Sequence, residues 1–176
     1  MILVVAATAR ELDGLDAETL VCGVGPVEAA ASTARALAGR RPAAVLHIGI
    51  AGARGIAPPA LVLGSEAVYE DLAAAFPVAD SVRPDAALLE RARAALPEAF
   101  VLPIGTSASV GGTSRCTVEA MEGFAVLRAA ALAGVPALEL RAVANDVDEP
   151  DRSLWRFEDA LAALRDAAPR VLSALG

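Results

Sequence analysis

Short runs of consecutive apolar residues alternate along the chain with longer segments in which apolar positions recur every three or four residues. The runs are rich in Val, Ile and Leu, which is typical of buried strands, whereas the longer segments have the period of helices with one apolar face. The pattern predicts strands at 2–7, 20–24, 43–50, 61–69, 100–104, 106–110 and 137–144, and helices at 27–38, 85–96, 117–133 and 154–175.

This alternation of strands and helices predicts an α/β protein. The sequence contains no internal repeat and no low-complexity linker, and 176 residues suit one compact domain. We therefore expect a single domain over residues 1–176, with a central mixed, mostly parallel sheet flanked by helices on both faces.

The amino-acid composition excludes several classes of protein and of binding partner. Hydrophobic residues make up 56% of the chain and the 21% of charged residues are interspersed, which excludes a disordered protein. No apolar run approaches the ~18 to 20 residues that a membrane span needs. The net charge of −7 disfavours nucleic acid, which binds basic surfaces, and no basic amphipathic helix is evident. We expect a protein that binds neither nucleic acid nor a membrane.

Cysteine usage and the N-terminus bear on compartment and cofactors. Cys22 and Cys116 are too few for a disulfide framework, and no Cys/His cluster has the spacing of metal ligands. The N-terminal Met-Ile-Leu-Val-Val has no basic region before its short apolar run, unlike a signal peptide. The sequence therefore predicts a cytoplasmic protein with no metal and no organic cofactor.

Two glycine-rich segments follow predicted strands. Gly23-x-Gly25 precedes a helix, as in dinucleotide-binding folds, but Glu28 stands where the third glycine of that motif belongs and would repel a pyrophosphate. A tight turn is therefore favoured there. Residues 49–55 follow a buried strand, where α/β sheets bind ligands; an anion- or sugar-binding loop and a plain turn are both compatible with this pattern.

Three glutamates are candidates for chemistry. Glu11 follows the first strand and could be a general base in a cleft, although taken alone it is more often a solvated or helix N-terminal charge. Glu119 and Glu122 lie three positions apart in the predicted helix at 117–133 and would share one of its faces. One could cap the helix and the other bind sugar hydroxyls, while Met121 between them is by default a core residue.

Asn145 ends a predicted strand and is the only asparagine of a chain that has no lysine and no glutamine. It could begin a turn, or its carboxamide could recognise a purine edge, because it both donates and accepts hydrogen bonds. Arg152 and Trp155 lie at a predicted helix start, and a capped helix with an anchored aromatic is the structural explanation for them. His47 lies in an apolar strand and is expected to be a satisfied core histidine.

Taken in chain order, these pieces resemble the nucleoside phosphorylase and nucleosidase superfamily over nearly the whole chain. Within it, residues 121–123, 138–145 and 151–156 are most similar to the futalosine hydrolase family. The resemblance implies a nucleoside phosphorylase-like fold and hydrolysis of the N-glycosidic bond of futalosine, releasing hypoxanthine, in menaquinone biosynthesis. The ordered motifs are a strand followed by Glu11, Gly23-x-Gly25, Gly49-x-Ala51-Gly52, Met121-Glu122, and a strand from Arg141 to Asn145.

The resemblance also implies roles for individual residues. Glu11 matches the carboxylate that activates the attacking water, Met121 and Glu122 match the ribose-binding pair, and Asn145 matches the position that contacts the purine. An amide cannot act as a general acid but can pair with a 6-oxopurine edge, so Asn145 favours hypoxanthine over adenine. The expected catalytic residues are Glu11 and Asn145, and the expected substrate-binding residues are Met121, Glu122, Gly49, Ile50, Val110, Arg152 and Trp155.

Departures from the superfamily pattern bear on the nucleophile. Ile50 stands where many relatives carry a hydroxyl residue, and no early Gly-Asp-Pro-x-Arg phosphate motif is present, so water is favoured over phosphate. The alternatives are a methylthioadenosine/adenosylhomocysteine-type nucleosidase, which Asn145 disfavours, a phosphorylase, which Ile50 disfavours, and a non-catalytic nucleoside-binding protein. The resemblance further implies a small-molecule nucleoside as partner and a homodimer or larger homo-oligomer.

Overall fold

The computed structural model describes residues 1–111, 113 and 115–176. Those residues form an eight-stranded sheet with helices on both faces. The strands are β1 (Ile2–Ala6), β2 (Glu18–Val21), β3 (Ala44–Ala53), β4 (Leu61–Tyr69), β5 (Ser81–Val82), β6 (Phe100–Thr106), β7 (Val118–Ala120) and β8 (Ala137–Asp146). The helices are α1 (Pro26–Gly39), α2 (Ala86–Ala95), α3 (Gly123–Leu132) and α4 (Phe157–Leu175).

The sheet is mixed, as the sequence predicts. Its strands follow the order β2-β1-β3-β7-β6-β4-β5, and β8 pairs with both β3 and β4. The β1–β2, β1–β3, β3–β8, β4–β6 and β6–β7 pairs are parallel, while β3–β7, β4–β5 and β4–β8 are antiparallel. Because β8 joins β3 to β4, the strands β3, β7, β6, β4 and β8 close into a ring. β8 buries all of its residues except the last, which accounts for the apolar character of this segment.

Alternating residues of the central strands face two helical layers. Val4 and Leu46 pack on the side covered by α2 and α4, whereas their neighbours Leu3 and Val45 pack on the side covered by α1 and α3. This alternation is the period of two that a strand imposes on its side chains. The structure is therefore an α/β fold with a sheet between helices, and the predicted fold class is confirmed.

Local sequence signals fix two helix starts. Pro26 occupies the first turn of α1, where its missing N–H costs nothing. Asp85 precedes α2, and its Oδ1 accepts hydrogen bonds from the backbone N–H groups of Ala87 and Leu88, both at 3.0 Å. These caps explain why the two predicted helices agree closely with the observed ones.

The strand predicted at 43–50 continues into the glycine-rich segment, so a loop at 49–55 is wrong for most of that segment. Residues from Gly49 to Ala53 pair with β8, and Gly52 and Ala53 also pair with β7. Pairing with distant strands extends β3 here, and the local glycine content does not reveal it.

The helix predicted at 117–133 is wrong in its first residues. Val118–Ala120 form β7, which lies between β3 and β6, and α3 begins only at Gly123. Glu119 and Glu122 therefore do not share a helix face. Because β7 is hydrogen-bonded to a strand on each side, this pairing decides its structure, although the local sequence has the period of a helix. The predicted helix end is confirmed, because Gly134 follows it with a φ of +68°.

Smaller differences concern element boundaries. The strand predicted at 100–104 extends to Thr106, and the strand predicted at 106–110 is wrong, because residues 107–110 lie outside any strand. The strand predicted at 20–24 begins earlier, at Glu18, and ends at Val21. The last helix begins at Phe157, after a short 3-10 turn at Arg152–Leu154. Within the described residues, none of the helices has both the length and the apolar character that crossing a bilayer requires.

Candidate active site

A cavity of about 320 Å³ opens at the carboxyl ends of β1, β7 and β8, beside the start of α4. Sheet edges of this kind are where α/β proteins bind ligands, and the volume suits a small molecule. Most lining side chains are apolar, and the polar ones are few and clustered. They include Thr8, Arg10, Glu11, Glu119, Glu122, Arg141 and Asn145.

Glu11 is buried in the 3-10 turn Ala9–Leu12 that follows β1. Its Oε2 accepts hydrogen bonds from the backbone N–H and the hydroxyl of Thr8, both at 2.8 Å. Its Oε1 accepts a hydrogen bond from the backbone N–H of Ile50 at 3.2 Å. The turn after β1 thus places a carboxylate of fixed orientation at the cavity.

Glu122 immediately precedes α3 and is buried. Its Oε1 accepts a hydrogen bond from the backbone N–H of Gly25 at 3.0 Å, and its Oε2 lies 3.5 Å from Nη2 of Arg141. Gly25 has a φ of +91°, a conformation that favours glycine. The Gly23-x-Gly25 turn therefore presents an amide hydrogen to a carboxylate of the cavity.

Asn145 lies next to the last residue of β8, and its side chain lines the cavity. Its Nδ2 donates a hydrogen bond to the backbone carbonyl of Asp146 at 2.8 Å. A Cβ atom on Gly52 would lie 3.1 Å from this Nδ2, so the glycine gives the amide its space. The bond to Asp146 engages one amide hydrogen and leaves Oδ1 and the second hydrogen for a ligand.

The sequence alone predicts no role for Arg141, yet its side chain is only 1% exposed and reaches the cavity. Its Nε donates to Glu139 Oε1 at 2.8 Å and its Nη1 to the carbonyl of Ile50 at 3.3 Å. Its Nη2 donates to Nε2 of His47 and faces Glu122. A signal was available: an arginine two residues after a glutamate, on the same face of an apolar strand, requires burial of an ion pair.

Glu139 and His47 have no exposed surface. His47 Nδ1 donates to the carbonyl of Val5 at 3.0 Å, which leaves Nε2 as the acceptor for Arg141. Burial, reinforced by the Arg141 charge, holds the pKa of His47 well below its ordinary value, so the imidazole is neutral at pH 7. Burial raises the pKa of Glu139, and Arg141 opposes that shift. The prediction of a satisfied core histidine is confirmed.

Glu119 lines the cavity from β7, and its two carboxylate oxygens are engaged by the neighbouring loop. Oε1 accepts from the backbone N–H of Gly111, and Oε2 accepts from the backbone N–H and the hydroxyl of Thr113. This carboxylate therefore fixes a loop beside the cavity.

In the part of the chain that the structure describes, no three His, Cys, Asp or Glu side chains are arranged to hold a metal ion.

Met121, Ile50, Val110 and Trp155 line the cavity, where the sequence analysis expects them. Val110 is half-exposed at the cavity, and Trp155 is anchored because its Nε1 donates to the carbonyl of Glu149 at 3.1 Å. These side chains give the cavity an apolar surface around its polar groups.

Gly49 and Arg152 are not among the residues that line the cavity, and their contact with substrate stays a prediction. Gly49 lies behind the cavity, where a Cβ atom would collide with Nη1 of Arg141 and approach Glu11 Oε1 to 2.9 Å. Arg152 is exposed, and its guanidinium lies 5.4 Å from the centre of the Trp155 ring. Gly49 therefore makes room for two polar side chains, and Arg152 packs on an aromatic one.

The fold and this cavity define an enzyme class. The sequence model of the phosphorylase superfamily matches residues 9–175, and the chain belongs to the phosphorylase superfamily. In sequence, the chain is similar to a futalosine hydrolase from Streptomyces coelicolor. The two are 40% identical over 195 residues, an alignment that covers 93% of this chain and 80% of that protein.

Solved structures share the same fold. A 5′-methylthioadenosine/S-adenosylhomocysteine nucleosidase from Colwellia psychrerythraea, in complex with adenine, matches with a TM-score of 0.87 at 16% identity, over 99% of this chain and 95% of that one. A futalosine hydrolase mutant from Helicobacter pylori matches with a TM-score of 0.84 at 17% identity, over 99% and 97% of the two chains. At these identities the likeness concerns the fold.

Proposed function

We propose that this protein hydrolyses the N-glycosidic bond of futalosine and releases hypoxanthine, a step of menaquinone biosynthesis. The observation that carries the proposal is that one cavity brings together Glu11, Glu122 and Asn145, which come from three separate parts of the fold. The similarity to a futalosine hydrolase over most of the chain supports the choice of substrate.

Glu11 is proposed as the catalytic carboxylate. Cleavage of an N-glycosidic bond passes through a transition state with positive charge on the ribose, which a nearby carboxylate stabilises. Water forms the new bond to the anomeric carbon and gives its proton to Glu11, while the electron pair of the broken bond leaves with the purine. Three hydrogen bonds hold Glu11 in one orientation, so the carboxylate does not have to be ordered during the reaction.

Glu122 and Met121 are proposed to bind the ribose. A carboxylate can accept hydrogen bonds from the two neighbouring hydroxyls of a ribose, and Glu122 is held at the cavity by Gly25 on one oxygen and faced by Arg141 on the other. Met121 supplies an adaptable apolar contact next to it.

Asn145 is proposed to recognise the purine. Because one amide hydrogen is bound to Asp146, the oxygen and the second hydrogen of the carboxamide remain for the base. The carboxamide can pair with O6 and N1–H of a 6-oxopurine. Unlike a carboxylic acid, it cannot give a proton to N7 of a leaving adenine, so the site is proposed to favour hypoxanthine over adenine.

Water rather than phosphate is the proposed nucleophile. Three glutamates line the cavity, and Arg141, the buried cation beside them, already contacts Glu139 and Glu122. Arg10, the exposed arginine of the cavity, is bound to Glu158. An inorganic phosphate would therefore meet negative charges and arginines that are already paired. Ile50 adds an apolar side chain where a hydroxyl ligand would be needed.

The test is chromatography of the purified protein incubated with futalosine, with and without phosphate, and with methylthioadenosine and inosine in parallel. The proposal expects hypoxanthine from futalosine at the same rate in both buffers. Adenine from methylthioadenosine would instead identify the alternative nucleosidase, and a phosphate requirement would identify a phosphorylase. No free base from any substrate would refute enzymatic activity and favour a nucleoside-binding protein.

We also propose that the protein acts in the cytoplasm as a homodimer or larger homo-oligomer. Val21, Val24 and Val27 follow one another around the turn between β2 and α1, and each is half-exposed or more. Adjacent exposed apolar side chains favour contact with another protein surface. Light scattering checks the assembly, and a monomeric mass at micromolar concentration would refute it.

A further inference from the structure

Three polar side chains form a buried cluster that Arg141 connects to the cavity: His47 and Glu139 have no exposed surface, and Arg141 has 1%. Burying charged groups is costly unless each is paired, so a cluster in this position calls for a function. We propose that Glu139 and His47 are positioning residues that act through Arg141, fixing its guanidinium so that it holds the Glu122 carboxylate at the cavity. The kinetic test of this proposal rests on the proposed futalosine hydrolysis.

The contacts of Arg141 determine the plane of its guanidinium. Nε is bound to Glu139, Nη1 to the carbonyl of Ile50, and Nη2 to His47. A guanidinium presents its donors in a rigid fork, so partners on all three nitrogens leave it one orientation. In that orientation Nη2 also lies 3.5 Å from Oε2 of Glu122.

Glu122 is consequently held from two directions. Gly25, in the turn after β2, donates to Oε1, and Arg141, on β8, faces Oε2. The first contact depends on a backbone amide and the second on a side chain. Only the second can be displaced by moving a neighbouring side chain, and Glu139 and His47 are the side chains that fix it.

Glycines make room for this cluster. A Cβ atom on Gly123 would collide with both carboxylate oxygens of Glu139, and a Cβ atom on Gly49 would collide with Nη1 of Arg141. Gly123 is the first residue of α3, where alanine is otherwise the better helix former. The glycine after Met121-Glu122 is therefore explained by the space that Glu139 occupies.

The charges of the cluster also suit a positioning role. His47 is neutral and accepts through Nε2, so it orients Arg141 without adding a second positive charge. Within the described residues, Oε2 of Glu139 has no hydrogen-bond donor. Arg141 is thus the side chain to which the Glu139 carboxylate is bound, and no cavity contact competes for it.

The sharpest test is Gly123→Ala, which keeps every side chain of the cluster and inserts one methyl group against Glu139. We expect kcat/KM for futalosine to fall by about 10- to 100-fold, because a small displacement of a positioned group is sufficient for such a loss. Gly39→Ala is the matched control, since Gly39 ends α1 and its Cβ atom would meet nothing within 4 Å. Equal kcat/KM for the two variants would overturn the proposal.

A double-mutant cycle separates positioning from stability. Glu139→Ala is expected to change kcat and KM in the same proportion as Glu122→Gln, and Glu139→Gln to recover most of the loss because its amide oxygen still accepts from Arg141. Once Glu122→Gln is present, Glu139→Ala should have little further effect. Losses that multiply, or an equal loss in the buried Leu96→Ala variant away from the cavity, would overturn the proposal.

A third readout does not depend on any substrate. His47 is the only histidine of the chain, so its ¹⁵N NMR signals need no assignment. The proposal expects a proton on Nδ1 and a hydrogen-bonded Nε2 whose signal shifts in Glu139→Ala, shifts less in Glu139→Gln, and does not shift in Gly39→Ala. A proton on Nε2, or a signal unaffected by Glu139, would overturn the network even if futalosine were not the substrate.

Discussion

Lowering the pH should destabilise this protein through the imidazole of His47. The unfolded chain carries this imidazole in water, where it takes up a proton near pH 6.5, whereas the folded protein holds its pKa well below that value through burial and the Arg141 charge. Below pH 6.5 the unfolded state therefore binds more protons than the folded state. The free energy of unfolding must fall as the pH is lowered through this range.

The magnitude follows from the two protonation states. The slope approaches about 1.4 kcal/mol per pH unit once the unfolded imidazole is mostly protonated. If folded His47 takes up no proton above pH 5, the loss between pH 7.5 and pH 5.0 is about 2 kcal/mol, which is a sizeable part of the stability of a domain this size.

Glu139 changes the pH dependence of the unfolding free energy in the opposite direction, so its effect has to be separated from that of His47. Burial raises the pKa of Glu139 above 4.5, so the folded state retains a proton that the unfolded state loses as the pH rises above 4.5. Its stabilising contribution is therefore present at low pH and is lost as the pH rises. A comparison of the wild type with His47→Gln isolates the imidazole, because both proteins contain Glu139.

The assay is unfolding by guanidinium chloride at pH 7.5 and at pH 5.0, followed by circular dichroism at constant ionic strength. Glutamine carries an amide donor and acceptor but does not titrate, so His47→Gln should lose about 2 kcal/mol less than the wild type over this interval. The same pH dependence in both proteins would show that folded His47 is protonated normally and would refute the reasoning.

Three further predictions concern single side chains. Glu11→Gln should lower kcat for futalosine by about 100- to 10,000-fold while ligand binding, measured by calorimetry, persists; retained turnover would exclude Glu11 as the base. Asn145→Asp should weaken 6-oxopurine substrates relative to 6-aminopurines, and an unchanged kcat/KM ratio would remove Asn145 from recognition. Burial raises the pKa of both Cys22 and Cys116 to about 12, so neither should react with iodoacetamide at pH 8 unless the protein is unfolded; rapid labelling in mass spectrometry would contradict this.

Most of the fold was predictable from the sequence because its strands are short, apolar and separated by well-marked helices. The errors fall where distant pairing decides the structure. The local sequence of β7 predicts a helix because the strand is only three residues long and one of its two partners, β3, is remote in sequence. The glycines at the end of β3 predict a loop, but this segment is a strand because β7 and β8 pair with it.

The residues of the candidate site also differ in how far the sequence predicts their positions. Glu11, Glu122 and Asn145 each follow or end a recognisable element, so their place at one sheet edge could be expected. Arg141 and Glu139 were missed because their spacing indicates only a buried ion pair, and the sequence does not show that Arg141 also contacts His47 and Glu122. The sequence does not reveal that Gly49 makes room for Arg141, because a glycine can give space either to a ligand or to a neighbouring side chain.

β8 supplies Arg141 and Asn145 to the cavity and also joins β3 to β4 through the middle of the sheet. A substitution of Arg141, in the middle of this strand, therefore alters ligand contacts and sheet packing together, and the two effects cannot be selected separately. Val24 and Val110, by contrast, line the cavity from outside the helices and strands and are half-exposed. An engineering library for other nucleosides should therefore randomise these two positions and keep β8 constant.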